Sequence, residues 1–274
     1  MLTIITPTFN SRDRLNSAIQ SVLRQSSPNW ELIICPDDAL DYSDLLSIDA
    51  RIKVIPSNLI ASGPAMARNR GLNHAMGQAV AYLDDDDQLT YNYVEESLRA
   101  LQSTNAILFP TTYVDDSEKI ARMIGQRSDS LTIDEFAVEL GSLHVVANRA
   151  YFPYWHDFFA EDVIHTCETI DRLGGQIQVS QLAGYFARIR AGSICSSSED
   201  IDSSYKVLTT TEFTSLSKIG NSRIQKLFKF RQYMNALFSA NSDQEDYNFF
   251  MSNIDTSKHY ENFSKTTEIP RNYL

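Results

Sequence analysis

The sequence predicts an α/β fold, a mostly parallel sheet flanked by helices with a helical C-terminal extension, and three observations carry the prediction. Short apolar runs of strand length alternate with segments of helical period from the first residues onward. The runs at 2–6 and 30–35 are almost continuously apolar, as expected of parallel strands covered on both faces. Carboxylates gather where such runs stop, at Asp37 and Asp38 and again at Asp84, Asp85, Asp86 and Asp87. In an open α/β sheet ligands bind outside the carboxyl ends of the strands, so these groups are expected along one edge.

A chain of 274 residues, 43% of them hydrophobic, suits one large α/β domain or two small ones and can bury a sizeable core. Its net charge of −11 argues against a nucleic-acid partner, because phosphate contacts need a basic face. Cys35, Cys167 and Cys195 are widely spaced, form no metal-binding pattern, and read as buried thiols of a reducing compartment. No signal segment follows Met1, and no window approaches the ~20 apolar residues of a membrane span. A cytoplasmic protein is expected.

Taken in order, the strand at 2–6 turns at residues 7–10, and Asn10 or Ser11 is placed to cap a helix whose apolar face is Leu15, Ala18, Ile19, Val22 and Leu23. Residues 30–35 form the second strand and 53–55 a third. Residues 65–76 read as a helix ended by Gly77, and 79–83 as a strand that stops at the four aspartates. Like charges in such a run repel one another. A hard cation would relieve them, since Mg2+ and Mn2+ prefer carboxylate and phosphate oxygen; a solvated acidic turn is the plain alternative. An amphipathic helix follows at 91–102, then strands at 106–110 and 111–114. Thr132 and Glu135 have capping-box spacing at the head of a helix over 132–140. Residues 151–159 hold six aromatics in nine positions. Core packing accounts for most of them, with Trp155 the best candidate to floor a sugar site. Glu161 and Asp162 open a helix that runs to Leu173 and is closed by Gly174 and Gly175, where acids also suit the helix dipole. Histidines 74, 144, 156, 165 and 259 make no i, i+4 pair and read as structural or surface groups.

The region 63–87 contains Gly63, Ala65, Ala67, Arg68, Asn69, Gly71, Ala75, Gly77, Leu83, Asp84, Asp86 and Asp87 at fixed spacing, the pattern Gly-x-Ala-x-Ala-Arg-Asn-x-Gly, Ala-x-Gly, Leu-Asp-x-Asp-Asp. This resembles the GT-A family 2 glycosyltransferases, closely over the first 90 or so residues and more patchily to about residue 200. The resemblance implies a GT-A fold and an inverting, metal-dependent transfer of a hexosyl or related group from a nucleotide-diphosphate sugar, of UDP type, to a hydroxyl of a glycan or lipid-linked acceptor. It implies that Thr6, Pro7 and Thr8 and the aspartate after the second strand hold the nucleotide. That aspartate is Asp37 in the register set by Asp41, or Asp38 if Pro36 shifts the turn. Asp84 and Asp85 would join the donor site, and Asp86 with Asp84 would hold Mn2+ or Mg2+. Arg68 faces the same edge, to bind a uracil carbonyl or a phosphate or to pair with the aspartates. Glu161 and Asp162 resemble the family's Glu-Asp motif, which makes Asp162 the base toward the acceptor and Glu161 an acceptor-side group. Tyr185, Arg188, Gly192 and Ser193 resemble a Tyr-x-Tyr-Arg-x-His-x-Gly-Ser segment, with Arg190 in place of the histidine and able to neutralise a leaving diphosphate.

The resulting division is 1–110 for the nucleotide-sugar half, 111–200 for the acceptor half of the same domain, and 201–274 for the extension. Residues 196–204 read as a linker and the tail beyond 241 as polar and uninformative. A helix at 221–240 combines an apolar stripe with Lys218, Arg223, Lys226, Lys229 and Arg231, so residues 218–238 suit either packing on the domain or contact with an anionic membrane. Two other readings remain open, a nucleotidyltransferase and a catalytically silent sugar- or partner-binding relative.

Overall fold

The computed structural model describes residues 1–115, 117–189, 198–241 and 247–265. The chain begins β1 (Leu2–Thr8), α1 (Arg12–Leu23), β2 (Trp30–Pro36), β3 (Ile52–Val54), α2 (Pro64–His74), β4 (Ala79–Tyr82). It continues through β5 (Gln88–Leu89), α3 (Tyr93–Ala100), β6 (Ala106–Leu108), β7 (Thr111–Val114), β8 (Ile120–Ile124), β9 (Ser130–Leu131), α4 (Ile133–Ala137) and β10 (Val145–Asn148). Helix α5 (Glu161–Arg172), β11 (Ile177–Val179) and β12 (Tyr185–Arg188) precede four further helices: α6 (Ser198–Leu208), α7 (Lys218–Asn241), α8 (Tyr247–Ser252) and α9 (Thr256–Lys265).

Eight strands form one sheet in the order β3-β2-β1-β4-β10-β6-β11-β9. The first four run parallel, and β10 enters antiparallel between β4 and β6. A second sheet, β5-β12-β7-β8, stands beside it; of its strands only β7 matches an expected one, at 111–114, and a two-residue strand such as Gln88–Leu89 carries no periodicity to detect. Alternation along β1 divides the core. Leu2 and Ile4 join Leu15, Ile19, Tyr93 and Val94 on the α1/α3 face. Ile5 joins Cys35, Ala67, Ile164, Leu227 and Phe228 on the face covered by α2, α5 and α7. Cys35 and Cys167 are buried free thiols, and burial pushes Cys35 up to about 12. Cys195 lies outside the described residues.

Several expectations are corrected. β1 continues through Thr8 rather than turning at residue 7, since its pairing with β2 extends to Pro36. Ser11 occupies the cap of α1 but its side chain makes no cap bond; its Oγ accepts from Arg14 Nε at 2.8 Å. The capping box at Thr132 and Glu135 is present. The segment read as a linker begins α6 at Ser198, because Tyr205 packs on Phe159 and Phe228 and so anchors a polar-looking stretch. The tail forms α8 and α9; Tyr260 and Phe263 of α9 pack edge-on and tilted against Phe230 at 4.9 and 5.5 Å.

Helix α7 turns its stripe inward: Ile224, Leu227, Phe228, Phe230 and Met234 are fully buried. Arg223 and Lys226 pair with Asp134, and Arg231 is 6% exposed. Its apolar face therefore packs on the protein's own domain, while Ile219 at its start stays exposed. No helix among the described residues is long and apolar enough to cross a membrane.

Two glycines set how closely α2 and its exit approach the sheet. A Cβ at Gly71 would fall 2.4 Å from Ile5 Cγ2 and 2.9 Å from Cys35 Sγ. At Gly77 it would meet backbone, 2.7 Å from Met1 O and 2.8 Å from Thr3 N. Backbone in a paired strand cannot step aside, so Gly77→Ala is expected to destabilise the fold by about 1–3 kcal/mol. Urea denaturation checks this as a lowered midpoint with unchanged slope.

Candidate active site

The acidic run lies where β4 leaves the sheet. Leu83 is fully buried and anchors the strand end, and Asp84 begins the turn beyond it. Arg68, on the second turn of α2, is 5% exposed and reaches that turn from below. Its Nη2 donates to Asp84 Oδ1 at 2.7 Å and its Nη1 to Glu161 Oε1 at 2.9 Å. The guanidinium sits 4.2 Å from the centre of the Trp155 ring. Burial alone would push Arg68 down, but Asp84 and Glu161 together hold it well above its ordinary value. In return Arg68 overcomes the burial of Asp84 and holds that carboxyl below the usual range. Glu161 remains raised, because burial outweighs what Arg68 contributes.

Arg68 thus brings together two acidic groups far apart in sequence, the end of β4 and the first turn of α5. Ala160, directly before Glu161, has φ 56 and ψ 39, a left-handed conformation unusual for alanine and of a kind that clusters at functional sites. Asp162 is held by partners other than Arg68. Its Oδ2 accepts a short hydrogen bond from Ser142 Oγ, and its Oδ1 accepts from the Val163 amide at 2.8 Å.

Tyr185 closes the other side of the acidic turn. Its hydroxyl donates to Asp87 Oδ2 at 2.8 Å and accepts from the Asp84 amide at 3.0 Å, while the Arg188 amide donates to Asp87 Oδ1 at 2.8 Å. Burial, then the charge of Asp84, pushes Asp87 up to about 8 despite these donors. Asp85 is raised by burial, with Asp84 adding to it. The His144 ring stacks on Tyr185 at 3.8 Å and 12°, within the electrostatic reach of both Asp84 and Asp162. Burial lowers His144 more than those two carboxylates raise it. Asp86 lines a cavity of ≈ 590 Å³ between α1 and the β5–β12 pair, with Arg14, Arg24 and Arg188.

Not every expected residue reaches this site in the expected way. Trp155 is 7% exposed, stacked on His165 at 4.3 Å and edge-on to Tyr82 at 4.9 Å, so its ring is core and the backing of Arg68 rather than an open sugar platform. Glu161 faces Arg68 instead of standing free toward an acceptor. Arg68 is correspondingly committed, as a buried double ion pair and not a surface one. Asp37 is 3% exposed and holds the turn after β3, accepting from Ser62 Oγ and the Gly63 amide. Asp38 is half-buried and accepts from the Asn10 amide and Tyr42. Thr6, Pro7 and Thr8 are buried within β1, and Thr6 Oγ1 has no hydrogen-bond partner. Arg190 lies outside the described residues.

Ser142 and His144 were not legible as site residues. They lie in the connection before β10, and only the Leu-Gly-Ser turn preceding an apolar run marks that place in the sequence.

A family model described as glycosyl transferase family 2 matches residues 3–152. Among known proteins, the UDP-Glc:alpha-D-GlcNAc-diphosphoundecaprenol beta-1,3-glucosyltransferase WfgD of Escherichia coli is 30% identical over 168 residues, 57% of this chain and 65% of that protein. The putative teichuronic acid biosynthesis glycosyltransferase TuaG of Bacillus subtilis is 34% identical over 161 residues, 54% of this chain and 62% of that one. The matched stretch therefore spans less than two thirds of the length of either relative. The crystal structure of S. aureus TarS 1-349 in complex with UDP-GlcNAc superposes with a TM-score of 0.67 at 17% identity, covering 99% of this chain and 82% of that one, a likeness of fold.

Removing the charge of Arg68 would leave Asp84 and Glu161 facing one another without neutralisation. Arg68→Met is expected to cost about 3 kcal/mol, the lower end for a broken buried ion pair because both carboxylates are partly exposed. Arg68→Lys should cost less, and equilibrium denaturation of both variants measures the difference.

Proposed function

The chain belongs to glycosyl transferase family 2, and from that premise we propose that it moves a sugar from a UDP-type nucleotide donor to a hydroxyl of a lipid-linked glycan, with inversion at the anomeric carbon. The observation that carries this reading is the Arg68 bridge, which sets the acidic turn and the acids of α5 in one site. The lipid-linked acceptor class is suggested by the diphosphoundecaprenol in the name of the WfgD relative.

The donor is assigned to the β1, β2 and β4 ends. Asp38 is favoured over Asp37 as the nucleotide-facing carboxylate, because Asp37 is buried in the 61–63 turn whereas Asp38 is only half-buried. The cavity beside Asp86 is of a size that ligand pockets take, and its three arginines suit a diphosphate. Divalent-cation dependence fits the residues present. All the candidate ligands are hard carboxylate oxygens, and Asp85 and Asp87, raised first by burial and then by the neighbouring charge of Asp84, stand where added positive charge would be favourable. Among the described residues no three potential ligand side chains stand together, so Asp86 and Asp84 would share a Mn2+ or Mg2+ with the donor's own phosphate oxygens. Such an ion would supply charge neutralisation to the departing diphosphate.

Asp162 is the proposed base. It takes the proton of the acceptor hydroxyl as that oxygen bonds to the anomeric carbon and the bond to the nucleoside diphosphate breaks on the opposite face. Glu161 orients Arg68 and, through it, Asp84.

Two measurements test the reading. UDP affinity should be at least tenfold higher with Mn2+ than with EDTA, and Asp86→Ala should erase most of that difference; calorimetry that finds equal, metal-independent affinity in both proteins counts against the metal assignment. Asp162→Asn should lower the transfer rate by ~10²–10⁴-fold with little change in UDP affinity, and near wild-type transfer would remove the base.

A further inference from the structure

Residues 140–144 connect α4 to β10 and carry Ser142, which meets Asp162, and His144, which stacks on Tyr185, the partner of Asp87 in the acidic turn. A connection of this kind usually runs over the surface and is loosely held. Here the backbone is tied to four different elements and a side chain to a fifth. Arg122 of β8 donates to Leu140 O at 2.9 Å, and Arg231 of α7 donates to Gly141 O at 2.8 Å. The Ser142 amide donates to Tyr113 Oη of β7 at 2.9 Å. Thr111 of β7 donates to Ser142 O at 3.1 Å, and Thr166 of α5 to Leu143 O at 2.8 Å. Tyr185 of β12 takes the His144 ring by stacking. Leu140 is held at φ 49, and a Cβ on Gly141 would stand 2.7 Å from Tyr113 Oη.

What this clamped segment presents is the Ser142 hydroxyl, and the hydroxyl donates to Asp162 Oδ2. With the Val163 amide on Oδ1, each carboxylate oxygen has one donor and keeps lone-pair capacity for an incoming proton. Arg231 is an expensive anchor. Its guanidinium is buried, its Nε has no hydrogen-bond partner, and its nearby charges include Asp162. A connector needing only to be satisfied would take a neutral donor there.

We infer that Ser142 is the positioning residue of Asp162, and that α7, through Arg231, clamps the loop that delivers it. The C-terminal helices are then part of the catalytic support. This rests on the reading of Asp162 as base. Orientation of a reacting group to within about an ångström is worth ~10²-fold in rate, so a single fixed hydroxyl can matter that much.

The test uses the full chain with Mn2+ and follows UDP release from UDP-glucose and from UDP-N-acetylglucosamine, alongside UDP binding, thermal unfolding and crystal structures of wild type and Ser142→Ala. Ser142→Ala should lower kcat ~10–10²-fold with KM for the donor, UDP affinity and unfolding temperature unchanged. Its Asp162 carboxylate should turn out of the wild-type position, and Ser142→Thr should restore both rate and orientation. Arg231→Gln should lower kcat in the same sense. An unmoved carboxylate in Ser142→Ala overturns the inference, whatever the turnover. So does an unchanged kcat in Ser142→Ala where Asp162→Asn is inactive, and in that case the base itself stands. A rate loss accompanied by a fall in unfolding temperature and in UDP affinity also overturns it, as a structural effect. Activity retained by Asp162→Asn is a separate failure, that of the base.

Discussion

A buried guanidinium between two carboxylates is the interaction on which this site depends. Arg68 gives up most of its hydration, and that cost is offset only because Asp84 and Glu161 accept from its two terminal nitrogens while Trp155 lies against its face. The geometry requires α2, the end of β4, the aromatic segment and the start of α5 to be correctly placed together. Asn69 reinforces the arrangement one residue on, donating to Trp155 O and accepting from the Trp155 amide, both at 2.8 Å. The motif on α2 is thus a docking surface for the later half of the domain as much as a ligand-binding element.

The acidic turn illustrates how a run of like charges is tolerated. The four aspartates are not equivalent. Asp84 is neutralised by Arg68, Asp87 is buried under Tyr185 and the Arg188 amide and pushed toward its protonated form, and Asp86 faces a cavity that carries arginines. Distributing the four in different directions leaves a limited number of charges at any one place. It also leaves the turn responsive to added positive charge, since the raised Asp85 and Asp87 both owe part of their shift to Asp84.

The C-terminal helices change what counts as the periphery. Tyr233 stacks with Phe263, Phe230 packs tilted on Phe263, Phe238 meets Tyr247 edge-on, and the inner face of α7 enters the same core as α2 and α5. Cations that look surface-bound in the sequence are spent on Asp134 and on the Gly141 carbonyl. A basic amphipathic helix therefore reads alike whether its partner is a membrane or its own domain, and only the buried Ile224, Leu227 and Phe228 distinguish the two.

The sequence by itself determined the alternation of strands and helices over the first 110 residues, the capping box at Thr132 and the start of α5. Each of these is a local property: period, cap chemistry, glycine placement, or a motif whose spacing spans one strand and one helix. Gly71 and Gly77 belong to this class, since close approach to a strand leaves a signature at a single residue. What only the tertiary structure decided are the groups whose partners lie far along the chain. Arg68 meets Glu161 across 93 positions, Ser142 meets Asp162 from another element, and Arg231 closes on Gly141 from 90 residues downstream. Nothing in the local sequence distinguishes an exposed Trp155 from a buried one, or a free Asp37 from one holding a turn. The choice depends on which surfaces meet, and burial and electrostatics settle it only after the chain has folded.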